Sequence, residues 1–327
     1  MVSQFYSSKF RIISFLAILS VVLGHCDGVA AFVNVKPFFC QWHVPWFFIM
    51  SGCFLFISLN RYSASALLVK KAKTLLIPYL MWCAIAIVLI VPNGEDVGWC
   101  DYFGVTTPFP VCNRHLWYLH VLIVFHFVSI FLWTIACCVV RRSMLRKVIF
   151  CVSYCLFFSL SIVYDVSTLY GTPTSPFFFL VGVLISEYAQ GDCVQVSRKE
   201  KILMAVISGL VFIAFRCVLF FEMSPSLLVP VFRVVAIIAQ ILFLWFGYDL
   251  IITMHMDIPW IITPVFFIYC SHGLILAWLR NAIWTNVTSI GEMTGLFVAC
   301  VSLSILLAVM MHRFTPSLYG LLTGGRS

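Results

Sequence analysis

Charge is what this sequence has least of. Asp, Glu, Lys and Arg together make up 10% of its 327 residues, with only 12 acidic side chains against 20 basic ones, where a soluble domain carries about 25%. That shortage excludes a soluble globular chain. Cys-x-x-Cys pairs, an HExxH helix and any paired histidine spacing are also missing, so no zinc framework and no metal are expected. Between its apolar stretches no segment is long enough for a soluble domain; the longest outer connection runs from about Pro92 to Arg114. Internal repeats and low-complexity tracts are absent too, which argues against an inverted-repeat transporter.

What is present is hydrophobic: 63% of the residues are apolar and the mean hydropathy is +1.07. A helix needs ~20 apolar residues to cross the hydrocarbon core. Ten such stretches occur, near 10–28, 38–59, 73–92, 115–139, 147–164, 175–191, 202–221, 228–249, 258–280 and 293–312. The expectation is an all-α, polytopic membrane protein of about ten transmembrane helices, with residues 1–327 forming a single membrane-embedded domain.

Lys and Arg in short loops are retained on the cytoplasmic side. With ten spans and a cytoplasmic N-terminus, the inner connections hold fifteen of the twenty basic residues, and the outer ones hold only Lys36, Arg114 and Arg280. Arg216 and Arg233 lie within or at the edge of spans seven and eight. The net charge of +8 is therefore a topology signal rather than a nucleic-acid footprint, and both termini are placed in the cytoplasm. The basic start, apolar run and small residues Gly28, Val29, Ala30 and Ala31 also fit a cleaved leader, although the polar His25 and Asp27 beside that site argue against cleavage. Most of the 14 Cys fall inside spans, where Cys serves as a small hydrophobe; Cys100 and Cys112 share an outer loop and are a candidate disulfide in an oxidising compartment.

Chemistry gathers at one rim. His25 lies ~24 Å along the first helix from Lys9, close to the outer face. His43, His115, His120 and His272 fall in the same half, with Arg114 and Trp117 beside them. Ionisable groups in membranes are costly and usually face a bundle interior or water-filled cavity, so their convergence points to a polar chamber opening outward. For His43, His120 and His126 an interhelical hydrogen bond explains a buried imidazole equally well. His25 is flanked by Gly24 and Gly28, and Asp27 is near enough in sequence to orient its ring for general-base work. On the inner side, Arg61, Lys70, Lys71 and Lys73 precede span three. By themselves they fit ordinary inward charge better, the functional reading being a cradle for the phosphates of a cytoplasmic donor such as coenzyme A. Arg233 falls near the outer end of span eight, where Glu222 or an anionic substrate can meet it.

Seven stretches occur in an order that resembles the acyltransferase-3 family of integral membrane acyltransferases. They are SVVLGHC (20–26), HVPWFFIMSGCFLF (43–56, like P-x-F-F-x-x-S-G), TLLIPYLMW (74–82), HLWYLHVLIV (115–124), SPFFFLVGVLI (175–185, like F-F-x-x-G), FFIYCSHGLIL (266–276) and LYGLLTGGR (318–326). The resemblance implies an enzyme that O-acylates saccharides of bacterial surface polymers with acyl-CoA from the cytoplasm, in the inner membrane, with the histidine closing span one, here His25, as the catalytic residue. Arg11 lies fourteen positions before it, within about 40° on the helix, where relatives carry an Arg eleven positions before. His120 stands where relatives often have Arg.

The expected function is transfer of an acetyl group from acetyl-CoA, or another acyl from its CoA ester, to a saccharide hydroxyl, the acceptor being free or lipid-linked. His25 would be the general base with Asp27 orienting it; Arg61, Lys70, Lys71 and Lys73 would hold the donor; Arg114, His115, Trp117, Arg233 and His272 would bind the acceptor. An acyl-histidine route is the mechanistic alternative. The expected partners are acyl-CoA, the saccharide and the bilayer, with an oligomer allowed and no nucleic acid. The alternatives are a transporter or flippase for a lipid-linked sugar, which moves its substrate without covalent change, and a non-catalytic partner in polysaccharide assembly.

Overall fold

The computed structural model describes residues 2–26, 28–90, 111–163, 172, 174–190, 196–221, 228–251 and 264–325. Every regular element among them is a helix. Among the described residues, nine helical stretches are long and apolar enough to cross a membrane: Ser8–His25, Phe32–Leu59, Ala64–Leu89, Asn113–Val139, Ser143–Leu160, Arg198–Phe220, Val229–Ile251, Val265–Ala282 and Ile290–Phe314. Each answers to one of the ten apolar stretches in the sequence. The remaining one, 175–191, forms a described helix of 16 residues, Ser175–Gln190, ~24 Å long and so short of a full ~30 Å crossing. Of the candidate disulfide pair, Cys100 lies outside the described residues.

Two compact units make up the chain, residues 1–47 with 192–306 and residues 48–191 with 307–327. The first holds α1 (Val2–His25), α2 (Ala30–Cys40), the opening of α3 (His43–Leu59), α9 (Arg198–Phe220), α10 (Val229–Ile251), α11 (Val265–Ala282) and most of α12 (Ile290–Phe314). Because a membrane helix is apolar all round, hydropathy does not say which face turns inward. In α1 the answer is Ile13, Ala17, Ile18, Val21 and Val22, a stripe at helical spacing that is buried, while Leu16 on another face is 43% exposed. One apolar stretch in the sequence, 38–59, belongs to two helices. Pro45 has no N–H to give the Gln41 carbonyl and suits a helix's first turn, the place it takes in α3, which starts at His43 after α2 ends at Cys40.

The N-terminal half of α1 is tied down by a buried charge. Lys9 Nζ lies 2.7 Å from Asp249 Oδ1, the two side chains being 1% and 9% exposed, and Lys201 reaches the other carboxylate oxygen at 3.3 Å. The same ammonium sits 3.7 Å from the centre of the Trp245 ring. Phe10 and Trp46 pack against Trp245 with ring centroids 5.1 and 6.1 Å away, and the Trp46 indole N–H donates to Ser14 Oγ at 3.1 Å. Charge pairing and cation–π contact together compensate the desolvation of Lys9, and fix the height of α1 against α10.

The second unit contains the rest of α3, α4 (Ala64–Lys71), α5 (Ile77–Ile90), a 3-10 segment (Val111–Leu116), α6 (Trp117–Val139), α7 (Ser143–Val163), α8 (Ser175–Gln190), the end of α12 and α13 (Pro316–Thr323). Helices α3 and α8 touch backbone to backbone. A Cβ on Gly52 would come within 2.0 Å of the Phe179 carbonyl oxygen, and one on Gly182 within 1.9 Å of the Ile49 carbonyl oxygen. This is the close small-residue crossing that drives association where lipid removes the hydrophobic incentive. Around it Phe48, Phe125, Tyr154, Phe158 and Phe179 interlock, with Phe125 to Phe158 at 4.9 Å and Tyr154 to Phe158 at 4.6 Å.

Between α4 and α5 the helix widens to a π turn at Ala72–Leu76. Pro78 explains it, because its ring clashes with the carbonyl four residues back and offers that carbonyl no N–H. The displaced Thr74 carbonyl is met by the chain's C-terminal segment: Gly324 has φ +64°, and a Cβ there would lie 2.6 Å from Thr74 O. Trp82 clamps the same segment through its indole N–H, which donates to Leu322 O at 3.1 Å.

Candidate functional site

His25 is the last residue of α1 and is exposed. A helix's final carbonyls lack intrahelical donors and carry partial negative charge. Here Arg280, from the end of α11, donates Nη2–H to the His25 carbonyl at 3.1 Å. Just beyond, Cys26 is buried, with its N–H donating to Leu23 O at 3.1 Å and its thiol to Val22 O at 3.2 Å. Gly28 then takes φ +153°, and a Cβ there would lie 2.5 Å from the Val287 carbonyl oxygen. Only glycine allows this approach. The imidazole is thus presented at an abrupt, braced helix end rather than on a fraying terminus.

Against it stands His272, wholly buried in α11, with its ring centroid 5.5 Å from that of His25. His272 Nδ1 lies 2.6 Å from Tyr269 O and 3.2 Å from Ile268 O. A carbonyl only accepts, so Nδ1 carries a proton, and in the neutral form the lone pair is on Nε2. From α12, the Cys300 thiol donates to the His272 carbonyl at 3.7 Å. The outcome is a tautomer and ring plane fixed by backbone, next to an exposed imidazole. Such a pair is suited to accept a proton from a hydroxyl at His25 and to stabilise the charge that forms there.

The other residues singled out in the sequence are distributed as follows. Asp27 lies outside the described residues. Arg233, on α10 in the same unit as His25, is exposed, and no described hydrogen bond or ion pair joins it to His25. The second unit carries the rest. Arg61, Lys70 and Lys73 are exposed and Lys71 half-buried around the α4 helix and its π turn, and Lys70 Nζ lies 4.5 Å from the centre of the Tyr62 ring. Arg114 and His115 fall in the 3-10 segment, and Trp117 opens α6, 6.5 Å from both Phe48 and Tyr118 by ring centroid. His120 stacks on Tyr79 at 5.9 Å, and His126 hydrogen-bonds the Leu122 carbonyl one turn back at 2.7 Å, as expected of a satisfied core imidazole.

Sequence reading passed over Arg280 and Cys300 as contributors. Arg280 was legible only as one of three basic residues placed outside, and Cys300 only as a small apolar filler. Their partners lie 255 and 28 residues away in the chain, a separation that no local pattern encodes.

The family described as "acyltransferase domain", acyltransferase-3, matches residues 12–309, and the chain belongs to it. It is a multi-pass membrane protein and an acyltransferase. No curated protein and no solved structure matches the chain.

Proposed function

We propose that the protein is an O-acetyltransferase of the bacterial inner membrane, moving acetyl from acetyl-CoA to a hydroxyl of a cell-surface or exported saccharide. The observation that carries this reading is the pair of imidazoles, His25 exposed at a braced helix end and His272 fixed as the Nδ1–H tautomer beside it. His25 takes the proton of the acceptor hydroxyl as its oxygen attacks the thioester carbonyl. The carbon–sulfur bond breaks, and the proton passes to the departing thiolate, giving an ester and free coenzyme A. Asp27 orients His25. Arg61, Lys70, Lys71 and Lys73 hold the donor's phosphates at the inner side, where lysine acts as a point charge. Arg114, His115, Trp117, Arg233 and His272 receive the acceptor, with the Trp117 ring as a stacking face for the sugar.

The test supplies acetyl-CoA labelled in the acetyl group to membranes with and without the chain. The expected product is labelled saccharide whose label is released by mild alkali, as an ester is. Saccharide that crosses the membrane unlabelled, with no response to acetyl-CoA, would instead mark a transporter.

A further inference from the structure

A second polar cluster lies inside the first unit. Arg216 is on α9, four residues before the end that the basic-residue pattern places outside, and is only 2% exposed. Its Nη1–H donates to the Gln41 side-chain oxygen, at the break between α2 and α3. Its Nε and Nη2 are buried with no hydrogen-bond partner among the described residues. Those two N–H groups form the side-on fork of the guanidinium, the edge that binds carboxylate or phosphate through two parallel hydrogen bonds.

The surroundings do not neutralise this charge. Phe38 ties the neighbourhood together: its ring meets Phe212 and Phe220, one turn on either side of Arg216, at 6.3 and 6.2 Å. Its carbonyl accepts from Gln240 Nε2 at 2.7 Å. Gln240 is 7% exposed, and its Oε1 is a buried acceptor without a partner among the described residues. Among the described residues, the charge acting on Arg216 is a second cation, Arg233 on α10. The ion pairs described in this unit are those of Asp249 with Lys9 and Lys201, and none involves Arg216. Glu222 lies outside the described residues. A buried cation with an open fork is expensive unless an anion completes it.

We propose that Arg216, with Gln41 and Gln240, forms an oxyanion site that takes the anionic group of the acceptor, a sugar carboxylate or the phosphate of a lipid-linked sugar. Gln240 Oε1 complements it by accepting a hydroxyl from the same ligand, as sugar acids and sugar phosphates offer both. Naming that ligand as the acceptor rests on the acyltransferase reading; the site itself does not.

The test is thermal unfolding of the full chain in detergent, in chloride, inorganic phosphate and glucuronate at matched ionic strength. The expected result is a midpoint raised by about 2 °C or more in at least one oxyanion over chloride. A rise with phosphate alone identifies a phosphate ligand, and one with glucuronate alone a carboxylate; a rise with both supports the shared chemistry. Gln41→Glu gives Arg216 an internal carboxylate, so its midpoint in chloride should equal or exceed the native one while the oxyanion effect disappears. Arg216→Lys keeps the charge but lacks the fork, and should weaken oxyanion binding at least about tenfold. Equal midpoints in all three salts, or an oxyanion rise that survives Gln41→Glu, would overturn the proposal. The readout needs no donor and no turnover, so failure of acetyl transfer and failure of this site are separate results.

Discussion

At the scale of single residues, where a buried polar group in this chain is answered by something specific, the answer reveals its task. Lys9 is answered by a carboxylate and an indole face. Asp249→Asn removes the carboxylate but keeps the ammonium buried, which should cost about 3–5 kcal/mol; the expected outcome is a lower thermal midpoint in detergent. Lys9→Met combined with Asp249→Leu should recover most of the loss, because an apolar pair needs no counter-charge. A lysine at this position read from sequence as nothing more than inward charge. Its partner lies 240 residues away, so hydropathy and loop counting had no means of finding it. His272 was legible as one of several outer histidines, whereas its fixed tautomer depends on backbone carbonyls that become neighbours only once α11 is a helix.

At the scale of elements, apolar length made all ten stretches legible, since nothing but a helix satisfies its own backbone in lipid. The interruptions were harder. Pro45 and Pro78 lie within apolar stretches, and hydropathy passes over them, yet each marks a change of helix: the first sits in the opening turn of α3, the second opens the π turn beneath Gly324. Glycine carries a similar lesson. Gly52 and Gly182 belong to two of the stretches that resemble the family, and the structure explains them as packing rather than chemistry, because α3 and α8 meet where neither has a side chain. Gly182→Val should therefore destabilise by about 3 kcal/mol or more. Gly247→Ala, with nothing within 4 Å of its added Cβ, should leave the unfolding midpoint unchanged or slightly raised, since Ala is the better helix former. Comparing the two midpoints in one detergent checks the prediction.

At the scale of the whole molecule, the family match over residues 12–309 runs through both compact units, and the residues assigned to the reaction are divided between them. His25, His272 and Arg233 belong to one; the basic residues proposed for the donor and the Arg114 to Trp117 segment belong to the other. Sequence reading singled out His25 because a titratable side chain closing an apolar helix between two glycines is rare and costly. It did not find the brace from Arg280, the tight turn at Gly28 against Val287, or the open fork of Arg216, each of which exists only after distant helices pack. The most direct test of the account is the initial rate of labelled acetyl transfer from acetyl-CoA in membranes holding equal amounts of the native chain and His25→Ala. The side chain lies at the exposed end of α1, so insertion should be equal and the rate should fall by about 10²–10⁴-fold, the usual contribution of a general base. A rate within about threefold of native would contradict the assignment of His25 as the residue that takes the proton.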